Sequence, residues 1–255
     1  MRRVAVKIAY LGDEFAGSQI QPGLRTAEGE VLSNLAEIKS GEPDMKCAGR
    51  TDRGVNALGN VIVFNTDFND NEVLLKALNA VSKGVFYRSV ATVDDDFNPR
   101  HANERIYRYI LPADGIDVNK AKECASLFAG EHDFIRFCKA DDRSTVMNMR
   151  SVTVDERGDN LVLEFRSEYF LWNQIRRIAS AISAVGRGDA SLDDVRNALN
   201  GGAATFGPAR PDALTLIDVI YDDIEFTAPA ANAFSGKVKE EAFVYSLRNE
   251  FFNSL

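Results

Sequence analysis

Cysteine and histidine are scarce in this sequence of 255 residues, with three cysteines (Cys47, Cys124, Cys138) and two histidines (His101, His132). An odd number of cysteines without a CxxC pair argues against a disulfide framework and a thiolate zinc site. Two histidines are too few for a histidine-rich metal site, so no metal is expected. No apolar run approaches the ~20 residues needed to cross a bilayer. The opening Met1-Arg2-Arg3-Val4-Ala5-Val6 lacks the apolar stretch and cleavage site of a signal peptide. The expectation is a cytoplasmic protein without a membrane partner. Positive charge is also in short supply: 30 Lys and Arg stand against 38 Asp and Glu, a net charge of −8. Phosphate binding needs Lys and Arg, so this balance argues mildly against a nucleic-acid partner. It does not decide the matter, because a basic groove can sit on an acidic body.

What is present is an ordinary globular mixture, 45% hydrophobic and 27% charged, long enough for one or two domains. Val4, Val6 and Ile8 alternate as in a half-buried strand. Thr26 is a candidate N-cap for a helix with Val31, Leu32, Leu35 and Ile38 near one face. Met45–Ala48 and Val61–Phe64 read as strands on either side of a loop, Gly49–Gly59. A helix follows over about residues 71–81, then a strand marked by Val85, Tyr87, Ser89, Ala91 and Val93. The acidic run Asp94-Asp95-Asp96 with Pro99 reads as a connection between two halves, residues 1–103 and 104–255. In the second half, Arg105–Leu111 reads as a strand and residues 118–128 as a helix. Arg157-Gly158-Asp159-Asn160 reads as the turn of a hairpin. A long helix is predicted over residues 170–186, and a capped one opens at Ser191. Leu214–Tyr221 and Ala242–Leu247 read as late strands, with a mobile loop over Thr227–Glu240 between them. Strands mixed with about two helices in each half predict an α/β (α+β) mixed-sheet architecture.

Chemistry concentrates in Ala48-Gly49-Arg50-Thr51-Asp52-Arg53-Gly54-Val55-Asn56-Ala57-Leu58-Gly59. The three glycines permit positive φ and close backbone approach. They hold Asp52 on a tight loop at a strand end, where function concentrates. Local composition alone favours a plainer reading, in which Asp52 caps a solvated turn and Arg50 or Arg53 pairs with it.

Longer motifs change that balance. Gly49-Arg50-Thr51-Asp52-x-Gly54-Val55-x-Ala57 resembles the signature of the TruA family of pseudouridine synthases, whose aspartate is the catalytic residue. Four further stretches are similar to that family in the same order. They are Ile8-Ala9-Tyr10-x-Gly12-x-x-Phe15-x-Gly17 with Gln21-Pro22; Phe97-Asn98-Pro99-Arg100-His101-Ala102 with Arg105-Ile106-Tyr107-Arg108-Tyr109; Gly130-Glu131-His132-Asp133-Phe134; and Phe170-Leu171-x-Asn173-x-Ile175-Arg176-x-Ile178. Pro211 to Val219 resembles the closing segment, so the resemblance spans residues 4 to about 221. The chain departs from it at Ser18, where tryptophan is usual, at Ala27-Glu28, where valine–glutamine is, and at Asn56, where histidine is common.

The resemblance implies a pseudouridine-synthase fold of two similar halves flanking a central active-site cleft, and a homodimer. It implies an enzyme that needs no cofactor and isomerises uridine at positions 38, 39 and 40 in the anticodon arm of tRNA. Asp52 is the implied nucleophile, Arg176 its partner and Tyr107 the residue that stacks on the flipped base. Arg50 helps to hold that base, and Arg53 and Arg105 are further candidate substrate contacts. The chemistry suits these residues. A free carboxylate is ionised at neutral pH and needs positioning more than activation. In a strand, Arg105, Tyr107 and Tyr109 share one face, which offers rings to a base and a cation to a phosphate. At helical spacing Asn173 and Ser180 flank Arg176 on a polar strip, with Ile175 and Ile178 on the core side. A glycoside hydrolase would want two carboxylates about the scissile bond, and this loop offers only Asp52. A non-catalytic RNA-binding protein would have no need of Asp52, Tyr107 and Arg176 together.

Overall fold

A computed structural model describes residues 1–40, 44–228 and 235–253. The first half runs β1 (Arg2–Tyr10), α1 (Ala27–Glu37), β2 (Lys46–Cys47), β3 (Asn56–Thr66), α2 (Asn71–Val81) and β4 (Val85–Thr92). The second runs β5 (Glu104–Pro112), α3 (Val118–Ser126), β6 (Gly130–Asp133), β7 (Val146–Met149), β8 (Ser151–Arg157), β9 (Asn160–Ser167), α4 (Gln174–Arg187), α5 (Leu192–Leu199) and β10 (Leu214–Ile220). A last helix, α6, spans Ser235–Asn253.

One eight-stranded mixed sheet carries the fold, in the order β4-β1-β3-β10-β5-β9-β8, with β2 also paired to β3. The pairing repeats. β1 lies antiparallel between β3 and β4, as β5 lies antiparallel between β9 and β10. β2 adds to β3 as β8 adds to β9. The two repeats join where β10 runs parallel to β3, with Thr215 opposite Asn56 and Leu216 opposite Ala57. The last strand of the sheet is therefore its central seam, and the loop that enters β3 lies at this seam.

The helices form where their caps and apolar stripes direct. Thr26 accepts the Gly29 N–H, Asp70 the Val73 N–H, and Asp117 those of Asn119 and Lys120. Ser191 and Asp194 make a reciprocal capping box. Val31 and Leu35 of α1, Leu74, Leu75 and Leu78 of α2, and Ile175, Ile178, Ile182 and Val185 of α4 are buried in one continuous core with the inner face of the sheet.

Several expectations need correction. β3 begins at Asn56, so the loop ends at Val55 and Gly59 lies inside a strand. Of the three loop glycines only Gly54 has a positive φ, of 85°. Gly59 is required for another reason: a Cβ there would stand 2.5 Å from the Ile217 carbonyl oxygen of β10. Helix α4 starts at Gln174 rather than near 170, because Asn173 adopts a left-handed conformation with φ 62°. Asparagine is among the few non-glycine residues that enter that region at low cost. Ala242–Leu247, which reads as a late strand in the sequence, is helical, within α6. Of the Thr227–Glu240 loop, Thr227 bridges to Val90, residues 229–234 lie outside the described residues, and the helix begins at Ser235.

Candidate active site

The β2–β3 loop is held through the residues on either side of Asp52. Asn60, fully buried on β3, accepts the Gly49 N–H at 3.2 Å and donates to the Gly49 carbonyl at 2.9 Å. The hydroxyls of Tyr10 and Thr51 are 2.8 Å apart. Ser18 grips Thr51 twice: its hydroxyl accepts the Thr51 N–H at 2.9 Å, and its N–H donates to the Thr51 carbonyl at 3.0 Å. Serine here thus has a bonding role. Gly54 donates to the Gly12 carbonyl at 3.2 Å. The two chains approach so closely that a Cβ on Gly12 would lie 2.4 Å from the Gly54 carbonyl carbon. Asn56 accepts the Gly12 N–H and donates to the Asp212 carbonyl, each at 2.9 Å. With its neighbours fixed, the Asp52 side chain stands free of the loop, 43% exposed.

Arg176, in the first turn of α4, meets it. Its Nη1 lies 3.6 Å from Asp52 Oδ2. That is an ion pair, longer than a hydrogen bond. The guanidinium is itself fixed: Nε donates to the Ala209 carbonyl at 2.6 Å and Nη1 to Asn173 Oδ1 at 3.0 Å. The side chain is 16% exposed; Asn173, expected beside it with Ser180 on a helical strip, reaches it instead from the left-handed position just before the helix.

Tyr107, on β5, is buried, and its ring meets Phe170 edge-on at 5.2 Å. Burial pushes its hydroxyl up to about 12; Arg105 opposes the shift, while Cys47 and Asp52 add to it. The other nucleophile nearby, Cys47, is likewise pushed up to about 12 by burial and by Glu28, and stays a thiol at neutral pH. Glu28 is half-buried. Burial raises its carboxyl above the usual range, and the Ile20 backbone, Cys47, Arg50 and Arg100 oppose that.

Arg105 is buried, and its guanidinium donates to three main-chain carbonyls, of Glu168, Ala48 and Arg100. It ties the start of the Asp52 loop to the segments at Arg100 and Glu168. Its charge faces the cleft, but these bonds make it a fixed wall rather than a mobile phosphate clamp.

Asp52, Cys47, Tyr107, Arg105 and Arg176 line one cleft of about 780 Å³. Asp52, Tyr107, Arg176, Arg50, Arg53 and Arg105 converge there, and Arg100 joins them. Arg108 does not: it pairs with Glu164 at 2.9 Å. Among charged residues the cleft wall has six arginines and two aspartates. A chain of net charge −8 therefore concentrates positive charge at this cleft, and the exposed run Asp94–Asp96 lies outside it. Arg143, Tyr169 and Trp172 also line the cleft, and sequence reasoning passed over them. Arg143 sits in the polar run Asp141-Asp142-Arg143, which by itself reads as a solvated loop.

Among the described residues, no helix is long and apolar enough to cross a membrane. Residues 124–222 match the profile of the family described as "tRNA pseudouridine synthase". That stretch includes the Arg176 helix and excludes Asp52 and Tyr107. Two curated relatives extend the similarity. The "tRNA pseudouridine synthase A" of Pyrococcus abyssi is 40% identical over 93% of this chain and 92% of its own. That of Thermococcus sibiricus is 42% identical over 89% of this chain and 88% of its own.

Proposed function

We propose that this chain, which belongs to the tRNA pseudouridine synthase family and isomerises uridine to pseudouridine in tRNA, does so in the anticodon arm at positions 38–40, with Asp52 as nucleophile. The observation that carries the assignment of Asp52 is its contact with the fixed Arg176 in the arginine-lined cleft. The positions in tRNA rest on the family resemblance, as does a homodimer.

The reaction breaks the N1–C1′ bond, turns the base and joins C5 to C1′, while a proton passes overall from C5 to N1. Redox change is absent, and no cofactor is called upon. What the protein must supply is an anion at the sugar–base junction, a way to hold the extruded base, and a cationic wall for phosphates. Extruding the base costs a few kcal/mol. Asp52 supplies the anion, and Arg176 fixes its direction. The Tyr107 ring, braced by Phe170, offers the stacking surface. Arg50 and Arg53 are exposed at the cleft, placed to hold the flipped nucleotide and its phosphate. Arg105 serves this reading as the cleft's fixed positive wall.

Tyr107 has two conceivable duties, and its environment favours one. With the hydroxyl pushed up to about 12, the tyrosinate fraction at pH 7 is on the order of 10⁻⁵. A tyrosinate base would make single-turnover rate climb about tenfold per pH unit through pH 9. A ring that stacks leaves the rate level. We expect a level profile between pH 7 and 9 and activity within about tenfold of wild type for Tyr107→Phe. Tyr107→Ala should lose about 100-fold or more, since stacking alone contributes about 1–3 kcal/mol and positions the base besides. A log-linear rise with pH, abolished in Tyr107→Phe, transfers the proton-abstracting role to the hydroxyl.

Salt dependence tests the cleft as an RNA surface. Arg50, Arg53 and Arg100 have no ion pair with any described residue, whereas Arg143 and Arg176 do. Three free cations that each neutralise a phosphate give a slope of log affinity against log salt of about −2 to −3. Binding of Asp52→Asn to a tRNA transcript across a salt series measures it. A flat response contradicts the assignment of these arginines.

A further inference from the structure

The loop between β9 and α4 presents two aromatic rings to the cleft that the core does not use. Across residues 169–172, Leu171 is buried and Phe170 packs on Tyr107, whereas Tyr169 and Trp172 are 37% and 44% exposed. Both exposed rings line the same cleft as Asp52. Trp172 is held in place from two sides. Its carbonyl accepts the Lys139 N–H at 2.8 Å. The next residue, Asn173, is the left-handed residue that bonds Arg176. Lys139 Nζ lies 3.8 Å from the centre of the indole ring. Arg143, four residues on, is gripped by both carboxylate oxygens of Asp141 at 2.8–3.1 Å and also lines the cleft.

An indole 44% exposed at the cleft, with the Lys139 ammonium over one face, has the chemistry of a nucleotide subsite: the ring for a base, the lysine for its phosphate. We propose that Trp172, with Lys139, binds a nucleotide flanking the target uridine. The inference rests on the reading of the cleft as the tRNA site. When the uridine leaves the stack, its neighbour loses a stacking partner, and the indole replaces it. Every base has a π face, so this subsite positions the RNA without selecting a sequence.

Trp172 is the only tryptophan in the chain, so indole fluorescence reports on this ring alone. The experiment titrates Asp52→Asn with an unmodified tRNA transcript and follows that fluorescence, with affinity measured in parallel by filter binding. Saturable quenching is expected, with the same Kd in both assays. Trp172→Ala, in the otherwise wild-type chain, should raise KM on the order of tenfold with kcat within about twofold, and Trp172→Phe should stay within about threefold in KM. An abasic nucleotide next to the target uridine should weaken wild type to the level of Trp172→Ala and leave Trp172→Ala unaffected. RNA that binds by the filter assay without quenching, or a Trp172→Ala enzyme with wild-type KM, overturns the subsite while leaving the cleft as the RNA site. Failure of wild-type protein to bind or modify any tRNA overturns both.

Discussion

Asp52→Asn is expected to form no detectable pseudouridine while binding tRNA with near-normal affinity. The substitution keeps the shape of the side chain and removes its charge and nucleophilicity. The loop does not depend on that carboxylate, because Thr51, Gly49 and Gly54 are bonded through their own backbones and through Ser18, Asn60 and Gly12. Loss of a nucleophile costs on the order of 10³-fold or more in rate. A melting temperature near that of wild type should accompany the loss, since an ion pair with one partner 43% exposed contributes only about 0–1 kcal/mol. Turnover within tenfold of wild type removes Asp52 from the mechanism.

Arg176→Lys is expected to be nearly as damaging. The simplest sequence-based picture is a guanidinium fork gripping the carboxylate by two bonds, but the structure shows a different use of the group. One nitrogen faces Asp52 at 3.6 Å and also bonds Asn173, while Nε bonds the Ala209 carbonyl. Lysine offers a single mobile ammonium and cannot make these contacts together. Activity should fall about 100-fold or more, chiefly in kcat, because misplacing the anion by about 1 Å is worth that much. Arg176→Ala should lose activity to the same degree and also melt lower, since it removes one of the two bonds that hold Ala209 and leaves the Asn173 amide oxygen without its donor. Wild-type activity and an unchanged Tm in Arg176→Ala contradict the pairing with Asp52.

Much of this site was legible in the chain because local signals and longer motifs agreed. α2 occupies the predicted residues 71–81, with its leucines buried and Asp70 at its cap. The hairpin turn at Gly158 and the cap at Ser191 likewise follow from local chemistry. The loop bearing Asp52 was recognisable, but its support was not. Ser18, Asn60 and Gly12 come from three other segments, and only tertiary structure brings them to Thr51 and Gly54. Gly59 looked like a turn residue because a glycine needed for close strand approach has the same letter as one needed for positive φ. The start of α4 was misjudged because the apolar period continues through Phe170 and Leu171, whereas the left-handed Asn173 interrupts the backbone. Net charge pointed away from nucleic acid because it is a sum, and the six arginines of the cleft are a local arrangement.

The most direct test is to incubate the protein with full-length unmodified tRNA transcripts and map pseudouridine at single-nucleotide resolution, with Asp52→Asn in parallel. The account predicts pseudouridine at positions 38–40 with wild-type protein and none with Asp52→Asn. Pseudouridine confined to another arm of the tRNA, or formed by Asp52→Asn at a rate near wild type, contradicts it.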